Sequence, residues 1–249
     1  MHKFSKHKSN FVKDGFCLIE SFLSPAELKK LSIIVKKFIK YKSSKLTGKN
    51  INYADKDKVN TLHDVDKFDS KFKTFALKKK YKDLAKIFLD EEADLRKCEI
   101  FAKPAKTGLA APMHQDNALW SLKNNKGITF WIALEKSNKK NGALKYIVSS
   151  HKLGLLKHED SYMPGTSQKV SKDIYKKKFS NSKIVSPELK PGDMLIHHCL
   201  TLHGSSPNHS SKSRIGFTMQ FKGIKDAYDV NQLRRYEKNL IKQIKSRIN

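Results

Sequence analysis

The chain has 249 residues, 38% of them hydrophobic, which is enough for one large domain with a buried core or for two small ones. Its formal charge is +27, but arginines are few (Arg96, Arg214, Arg234, Arg235, Arg247) and the lysines are spread along the whole chain. Arginine is the preferred residue for bidentate contacts to phosphates and bases, so this balance argues against a nucleic-acid partner and leaves a polar or anionic small molecule compatible with the charge.

The basic start, Met1-His2-Lys3-Phe4-Ser5-Lys6-His7-Lys8, has no apolar stretch behind it, so no secretory signal is expected. No apolar run approaches the ~18 residues of a membrane-crossing helix. Cys17, Cys98 and Cys199 are far apart and form no Cys-x-x-Cys pair, which fits free core thiols in a reducing, cytoplasmic setting.

From Phe11 to Phe22 the chain reads as a short strand at Gly15–Glu20. Ser24-Pro25-Ala26-Glu27 then has the form of a helix start, with Ser24 as N-cap and Glu27 completing a capping box. Leu28, Leu31, Ile34, Val35, Phe38 and Ile39 recur at helical spacing behind it. Residues 47–69 are polar and mixed and read as loop. The stretch from Phe72 to Leu89 resumes a helical pattern, with Lys78-Lys79-Lys80 as a solvated turn.

From Leu95 the period changes, and Cys98–Lys103 reads as a strand followed by a loop to Pro112. Gly127–Leu134 is the strongest strand signal, β-branched and aromatic throughout. Residues Asn138–Gly142 form a turn and Ala143–Val148 the next strand. Lys152–Ser182 is long and irregular, and loops of that length are usually lids or binding loops, so it is expected near a pocket mouth. Pro191-Gly192-Asp193 turns into the strand Met194–His198. Arg214–Phe221 alternates cleanly, with Ile215, Phe217, Met219 and Phe221 on one side and Arg214, Gly216, Thr218 and Gln220 on the other. A basic helix from Tyr228 to Ile248 ends the chain. No internal repeat or linker divides it. The predicted organisation is a single domain with a helical part at about 24–90, a β core at about 95–222 and a C-terminal helix at about 228–248. Strands with long connections and Gly/Pro turns point to a β-sandwich or jelly roll rather than βαβ units.

Met113-His114-Gln115-Asp116-Asn117 and the distant Leu202-His203-Gly204-Ser205 carry the chemistry. Two histidines and one carboxylate are the ligand set of non-haem Fe(II) oxygenases, which keep coordination positions open. A lone His-x-Asp is weak, and a hydrogen-bonded loop pair is the ordinary reading of it. The placement before a strong strand, a third histidine at 203 and an arginine at 214 strengthen the metal reading. An arginine on an inward polar face needs an anion, and a dicarboxylate cosubstrate supplies one to the two-pronged guanidinium. His197 and His198 compete with His203 for the third-ligand role; only one of them can face a pocket, and spacing to Arg214 favours His203. His151 is read as ordering its loop, and Trp120 and Trp131 as core or pocket wall. Lys103 and Thr129 are candidates to lean into the cosubstrate pocket. His63, His158 and His209 carry no signal.

These motifs resemble the phytanoyl-CoA dioxygenase family of Fe(II)/2-oxoglutarate oxygenases. The likeness runs through Asp14-Gly15-Phe16, Phe22-Leu23-Ser24-Pro25, the His114 motif, Trp131-Ile132-Ala133-Leu134, Asn141-Gly142-Ala143-Leu144, Val148-Ser149-Ser150-His151, Pro191-Gly192-Asp193, and His203-Gly204-Ser205-Ser206-Pro207-Asn208 on to Arg214. Relatives often have Pro-Gly-Ser-His where this chain has Val148-Ser149-Ser150-His151. The resemblance implies a mainly β fold with flanking helices, a double-stranded β-helix of the jelly-roll, cupin-like kind. It implies that His114, Asp116 and His203 bind Fe(II), that Arg214 pairs with the distal carboxylate of 2-oxoglutarate, and that Ser205 hydrogen-bonds it. O2 would be the oxidant, succinate and CO2 the coproducts, and hydroxylation of a small-molecule metabolite the outcome. Related halogenases have a small residue in place of the carboxylate, so Asp116 favours hydroxylation. Rival readings are the same chemistry on a nucleic acid or protein, and a non-catalytic binding module that kept the fold. Oligomeric state leaves no mark in the sequence.

Overall fold

Two antiparallel sheets face each other, and helices cover the outer side of the larger one. The computed structural model describes residues 3–248, with side chains as far as 246; Met1 and His2 of the basic start, Asn249, and the side chains of Arg247 and Ile248 lie outside it.

The chain begins with α1 (Ser5–Asp14), where only a basic lead into a strand was expected. Its few apolar residues hide it, but Phe11 anchors it edge-on to Phe88 at 5.1 Å, and Gly15 closes it in a left-handed conformation. β1 (Phe16–Ile19) follows, then α2 (Pro25–Tyr41) with the capping box of Ser24 and Glu27 formed as read. Residues 47–69 are not the expected loop: they hold the hairpin β2 (Ile51–Asp55) and β3 (Lys58–Leu62) and the short α3 (Val65–Phe68). The hairpin is a polar sheet edge, joined to its neighbour through only Thr61 and Leu62, so its strand character comes from tertiary pairing rather than propensity. The helical run from 72 to 89 is two helices, α4 (Ser70–Ala76) and α5 (Lys79–Leu89), broken at Leu77 and Lys78. Lys78 and Lys79 are solvated as expected, whereas Lys80 pairs with Glu27 across the helix interface.

The β core continues with β4 (Ala93–Lys103), β5 (Ala111–His114), the single turn α6 (Asn117–Trp120), β6 (Gly127–Ala133) and β7 (Leu144–Ile147). The segment 152–182 is a hairpin, β8 (His158–Met163) and β9 (Thr166–Val170), followed by α7 (Lys172–Phe179). Its irregular look comes from short polar strands, but its Pro164-Gly165 turn does lie at the cavity. Then come β10 (Ile184–Val185), β11 (Met194–His198), β12 (His203–Ser205), β13 (Arg214–Gly223) and α8 (Val230–Ile248).

The large sheet runs β1-β11-β6-β13-β4-β3-β2, and the smaller one β10-β7-β12-β5. Strand parity sorts the large sheet's two faces. Ile128, Phe130 and Ile132 of β6 and Phe217, Met219 and Phe221 of β13 pack outward under α2, α4 and α5. Thr129, Trp131, Thr218 and Gln220 point the other way, toward the small sheet. Asp193 secures the turn into β11 by accepting from the backbone N–H groups of Ser21 and Lys190. All three cysteines are buried and free. Among the described residues no helix is long and apolar enough to cross a membrane.

Candidate functional site

β5 and β12 pair antiparallel with His114 directly opposite His203, which brings two residues far apart in sequence to a ring separation of 4.3 Å. Asp116 lies two residues beyond, where α6 begins, and its backbone carbonyl accepts from Leu119 and Trp120. The side chains of His114, Asp116 and His203 are all buried, and their ligand atoms lie within 4.8 Å of one another, a group that can hold a metal ion.

Hydrogen bonds settle which atoms face the centre. His114 Nδ1 lies 2.8 Å from the Pro112 carbonyl and His203 Nδ1 2.9 Å from that of Thr201. A carbonyl only accepts, so both Nδ1 atoms carry the proton and both Nε2 lone pairs point at Asp116 Oδ1, 3.9 Å and 3.7 Å away. Asp116 Oδ2 accepts from Thr129 Oγ1 at 2.7 Å and from His197 Nε2 at 3.2 Å. His197 Nδ1 in turn accepts from the Tyr146 hydroxyl at 3.0 Å.

Burial pushes the pKa of His114 down and that of His203 well down, with the neighbouring histidines adding to the effect at His203. Burial alone would raise the Asp116 carboxyl, but His203, His197 and His114 around it outweigh that penalty and hold it well below the usual carboxylate range. Two neutral imidazoles and one carboxylate are the protonation states a divalent metal needs.

The site opens into a cavity of about 390 Å³ between the sheets. Arg214, 1% exposed, starts the cavity wall on β13, directly opposite Lys103 on β4. Its guanidinium lies over the Trp131 ring at 5.0 Å, and one nitrogen donates to the Gly142 carbonyl. Its Nε and the second terminal nitrogen are buried without a partner. Gly216 makes this stacking possible, since a Cβ there would sit 2.0 Å from the Trp131 ring. Burial, and then the charge of Arg214, push Lys103 down to about 6. The Arg214 charge thus lies in a buried corner beside a lysine that it and burial push toward the neutral form, and among the described residues no carboxylate comes within 4.0 Å of the guanidinium, an arrangement that awaits an anion.

At the other end of the same wall, Glu99 is buried and accepts from Lys97, His63 and Gln220; Lys97 and His63 hold its carboxyl down at about 2 against the penalty of burial. Gln220 also accepts from Arg96 at 2.8 Å. His63, which sequence reading gave no role, therefore belongs to the cavity. So does His197, placed there only as a rival ligand; strand parity showed that one of His197 and His198 faces inward but not which. His198 turns to the opposite face, against Phe11. His158 accepts the backbone N–H of Gln115, between two of the clustered residues, a contact that no sequence signal announced. His151 orders its loop as expected, through the Val12 carbonyl. Ser205 and Thr129 line the cavity, with the Thr129 hydroxyl committed to Asp116.

The sequence model of the phytanoyl-CoA dioxygenase family matches residues 11–216. The chain belongs to the phytanoyl-CoA dioxygenase family. It is an oxidoreductase of the dioxygenase class on that footing. A probable alpha-ketoglutarate-dependent hypophosphite dioxygenase of Stutzerimonas stutzeri is 27% identical over 85% of this chain and 76% of its own length. Phytanoyl-CoA dioxygenase of Arabidopsis thaliana is 30% identical over 63% of this chain, a match that spans about half (54%) of that relative. Among solved structures, EctD from S. alaskensis with 2-oxoglutarate and 5-hydroxyectoine matches 90% of this chain and 78% of its own, with a TM-score of 0.76 at 17% identity. The epimerase SnoN in complex with Fe3+, alpha-ketoglutarate and nogalamycin RO matches 94% of this chain and 88% of its own, with a TM-score of 0.73 at 16% identity. At such identities the likeness concerns the fold.

Proposed function

We propose that this family member is an Fe(II)- and 2-oxoglutarate-dependent dioxygenase that hydroxylates a small-molecule metabolite and releases succinate and CO2. The facing sheets are read as a double-stranded β-helix, or jelly roll, and the chain as one oxygenase domain. The observation that carries the reading is that the His114–Asp116–His203 cluster and the half-partnered, buried Arg214 line one cavity.

The donor set fits iron: two imidazole nitrogens and one carboxylate oxygen, already in their ligating protonation states. Thr129 and His197 hold Oδ2 of Asp116 and so turn Oδ1 toward the two Nε2 atoms. The orphaned nitrogens of Arg214 fit a carboxylate, and a keto-diacid brings one at the far end from its metal-binding end. Lys103 beside it takes up a proton as the carboxylate arrives and becomes a second cation, and Ser205, which lines the same cavity, would donate a hydrogen bond. Trp131 fixes the plane of the guanidinium and excludes water from it. When bound, iron and the keto acid supply the reactivity toward O2 that no side chain of this chain has. The carboxylate of Asp116 favours hydroxylation over halide transfer. A polar or anionic substrate suits the cationic lining.

Anaerobic addition of Fe(II) and 2-oxoglutarate tests the reading. A metal-to-ligand charge-transfer band should form, and His114→Ala or Asp116→Ala should abolish or strongly weaken it. A wild-type protein that binds both components without the band, or variants that keep it at full strength, would end this assignment.

A further inference from the structure

The cavity holds a second arginine with an unpartnered nitrogen, Arg96. Arg96 lies on β4 at a break in the ladder: Gln220 pairs with Lys97 and the next residue, Phe221, with Leu95, so Arg96 is a bulged residue with no partner. Plain alternation from Lys97 would send it to the outer face; the bulge re-aims it, and Arg96 and Lys97 both line the cavity. The guanidinium is held flat, with Trp120 beneath it at 4.9 Å and Gln220 on one nitrogen at 2.8 Å. Its Nε is buried and unpartnered. Glu99, a buried carboxylate on the same strand, is already shared by Lys97, His63 and Gln220. Among the described residues no carboxylate comes within 4.0 Å of Arg96.

The position is informative. Gln220 faces Thr129 across the next ladder, and Thr129 holds Asp116. Arg96 therefore stands two strands from Thr129, about 10 Å laterally. Arg214 is six residues from Gln220 along β13, about 20 Å. That is a backbone separation; the Arg214 guanidinium folds over Trp131, two residues from Thr129, so the two guanidiniums approach the metal cluster from different parts of the wall. The cavity lining also includes Trp120, Tyr228, Leu233 and Tyr236, with Glu237 next to Tyr236, which suits a largely apolar body.

We propose that Arg96 is a substrate-binding residue and that the primary substrate is a small organic acid. Its oxyanion, a carboxylate or a phosphoryl-type group, pairs with Arg96, and its body lies along the Trp120–Tyr236 wall with a C–H toward the metal. This deepens the oxygenase reading and rests on it for the reaction, but not for the binding.

The test uses three probes of equal chain length, hexanoate, hexylphosphonate and hexan-1-ol, titrated by calorimetry into the anaerobic Fe(II)–2-oxoglutarate protein. Both acids should bind at least tenfold more tightly than the alcohol, and the stronger acid identifies the oxyanion. Arg96→Gln should remove that preference, and Arg96→Lys, which keeps the charge but not the stacked plane, should retain part of it. Arg214→Met should lose the response to 2-oxoglutarate and keep the acid preference. Absence of an acid preference in the wild type, its survival in Arg96→Gln, or its loss in Arg214→Met overturns the assignment. If 2-oxoglutarate gives no band at all, the oxygenase reading fails by itself, and Arg96-dependent acid binding to the metal-free protein still decides this one.

Discussion

Replacing Arg214 by methionine should leave the ligand-free protein at least as stable as the wild type while nearly abolishing its stabilisation by cosubstrate. In the free protein the guanidinium is 1% exposed, with two nitrogens unpaired and Lys103 opposite, so its charge is a burden there. Methionine gives up one hydrogen bond to Gly142, worth about 1 kcal/mol, and the stacking on Trp131, worth about 1–2 kcal/mol. Relief of the buried unpaired charge offsets these. The bound state behaves differently. Removing one partner of a buried charge pair costs about 2–5 kcal/mol, and because Lys103 remains, the lower half of that range applies, about 30- to 300-fold in affinity. At a hundredfold excess over its dissociation constant, the cosubstrate stabilises the wild type by about 2.7 kcal/mol, or roughly 5–11 °C in Tm for a chain of this size. A hundredfold weaker site at the same concentration gives about 0.4 kcal/mol, roughly 1 °C. Scanning fluorimetry with Mn(II) and 2-oxoglutarate reads both numbers. A variant that keeps the wild-type ligand shift, or whose ligand-free Tm falls by more than about 10 °C, would show that the guanidinium serves the fold and not the keto acid.

Lys103, held down at about 6, is neutral in the free protein near pH 7.5, and an incoming carboxylate favours its ammonium form. Cosubstrate binding should therefore take up close to one proton and weaken as pH rises above about 6; calorimetry in buffers of different ionisation enthalpy that shows no proton uptake would refute this. His197→Leu, which frees Oδ2 of Asp116 from one donor and strands the Tyr146 hydroxyl, should lower metal affinity about 10- to 100-fold in a competitive chelator titration, and an unchanged affinity would deny His197 its positioning role. Gly216→Ala should displace Trp131, whose ring lies 2.0 Å from the new Cβ position, and weaken 2-oxoglutarate binding more than Fe(II) binding. Equal losses for both ligands would point to general misfolding instead.

How far these residues are legible along the chain follows from how each one acts. His114 and Asp116 announce themselves because they are neighbours, and His203 and Arg214 because a single loop separates them. The inward face of β13 is readable from alternation alone, and Arg214, Thr218 and Gln220 do share it. The hairpin of β2 and β3 is not readable, because Asn52, Asp55 and Lys58 have the composition of a loop and only pairing to β4 makes them strands. Parity also leaves His197 and His198 indistinguishable until β6 is laid beside β11 and Thr129 falls opposite His197.

Arg96 marks the deeper limit. Alternation read along β4 points it outward, and a bulge seen only against β13 turns it in. A side chain's chemistry is a local property, but the partner it lacks is a property of topology. Arg96 looks like any other basic residue in a lysine-rich chain; what sets it and Arg214 apart is that the fold buries nitrogens of each without a partner and, among the described residues, brings no carboxylate within 4.0 Å of them. Because most of the chain's +27 lies on lysines in contact with water or paired with acids, net charge carries little information about the ligand, and these few unpaired donors carry most of it.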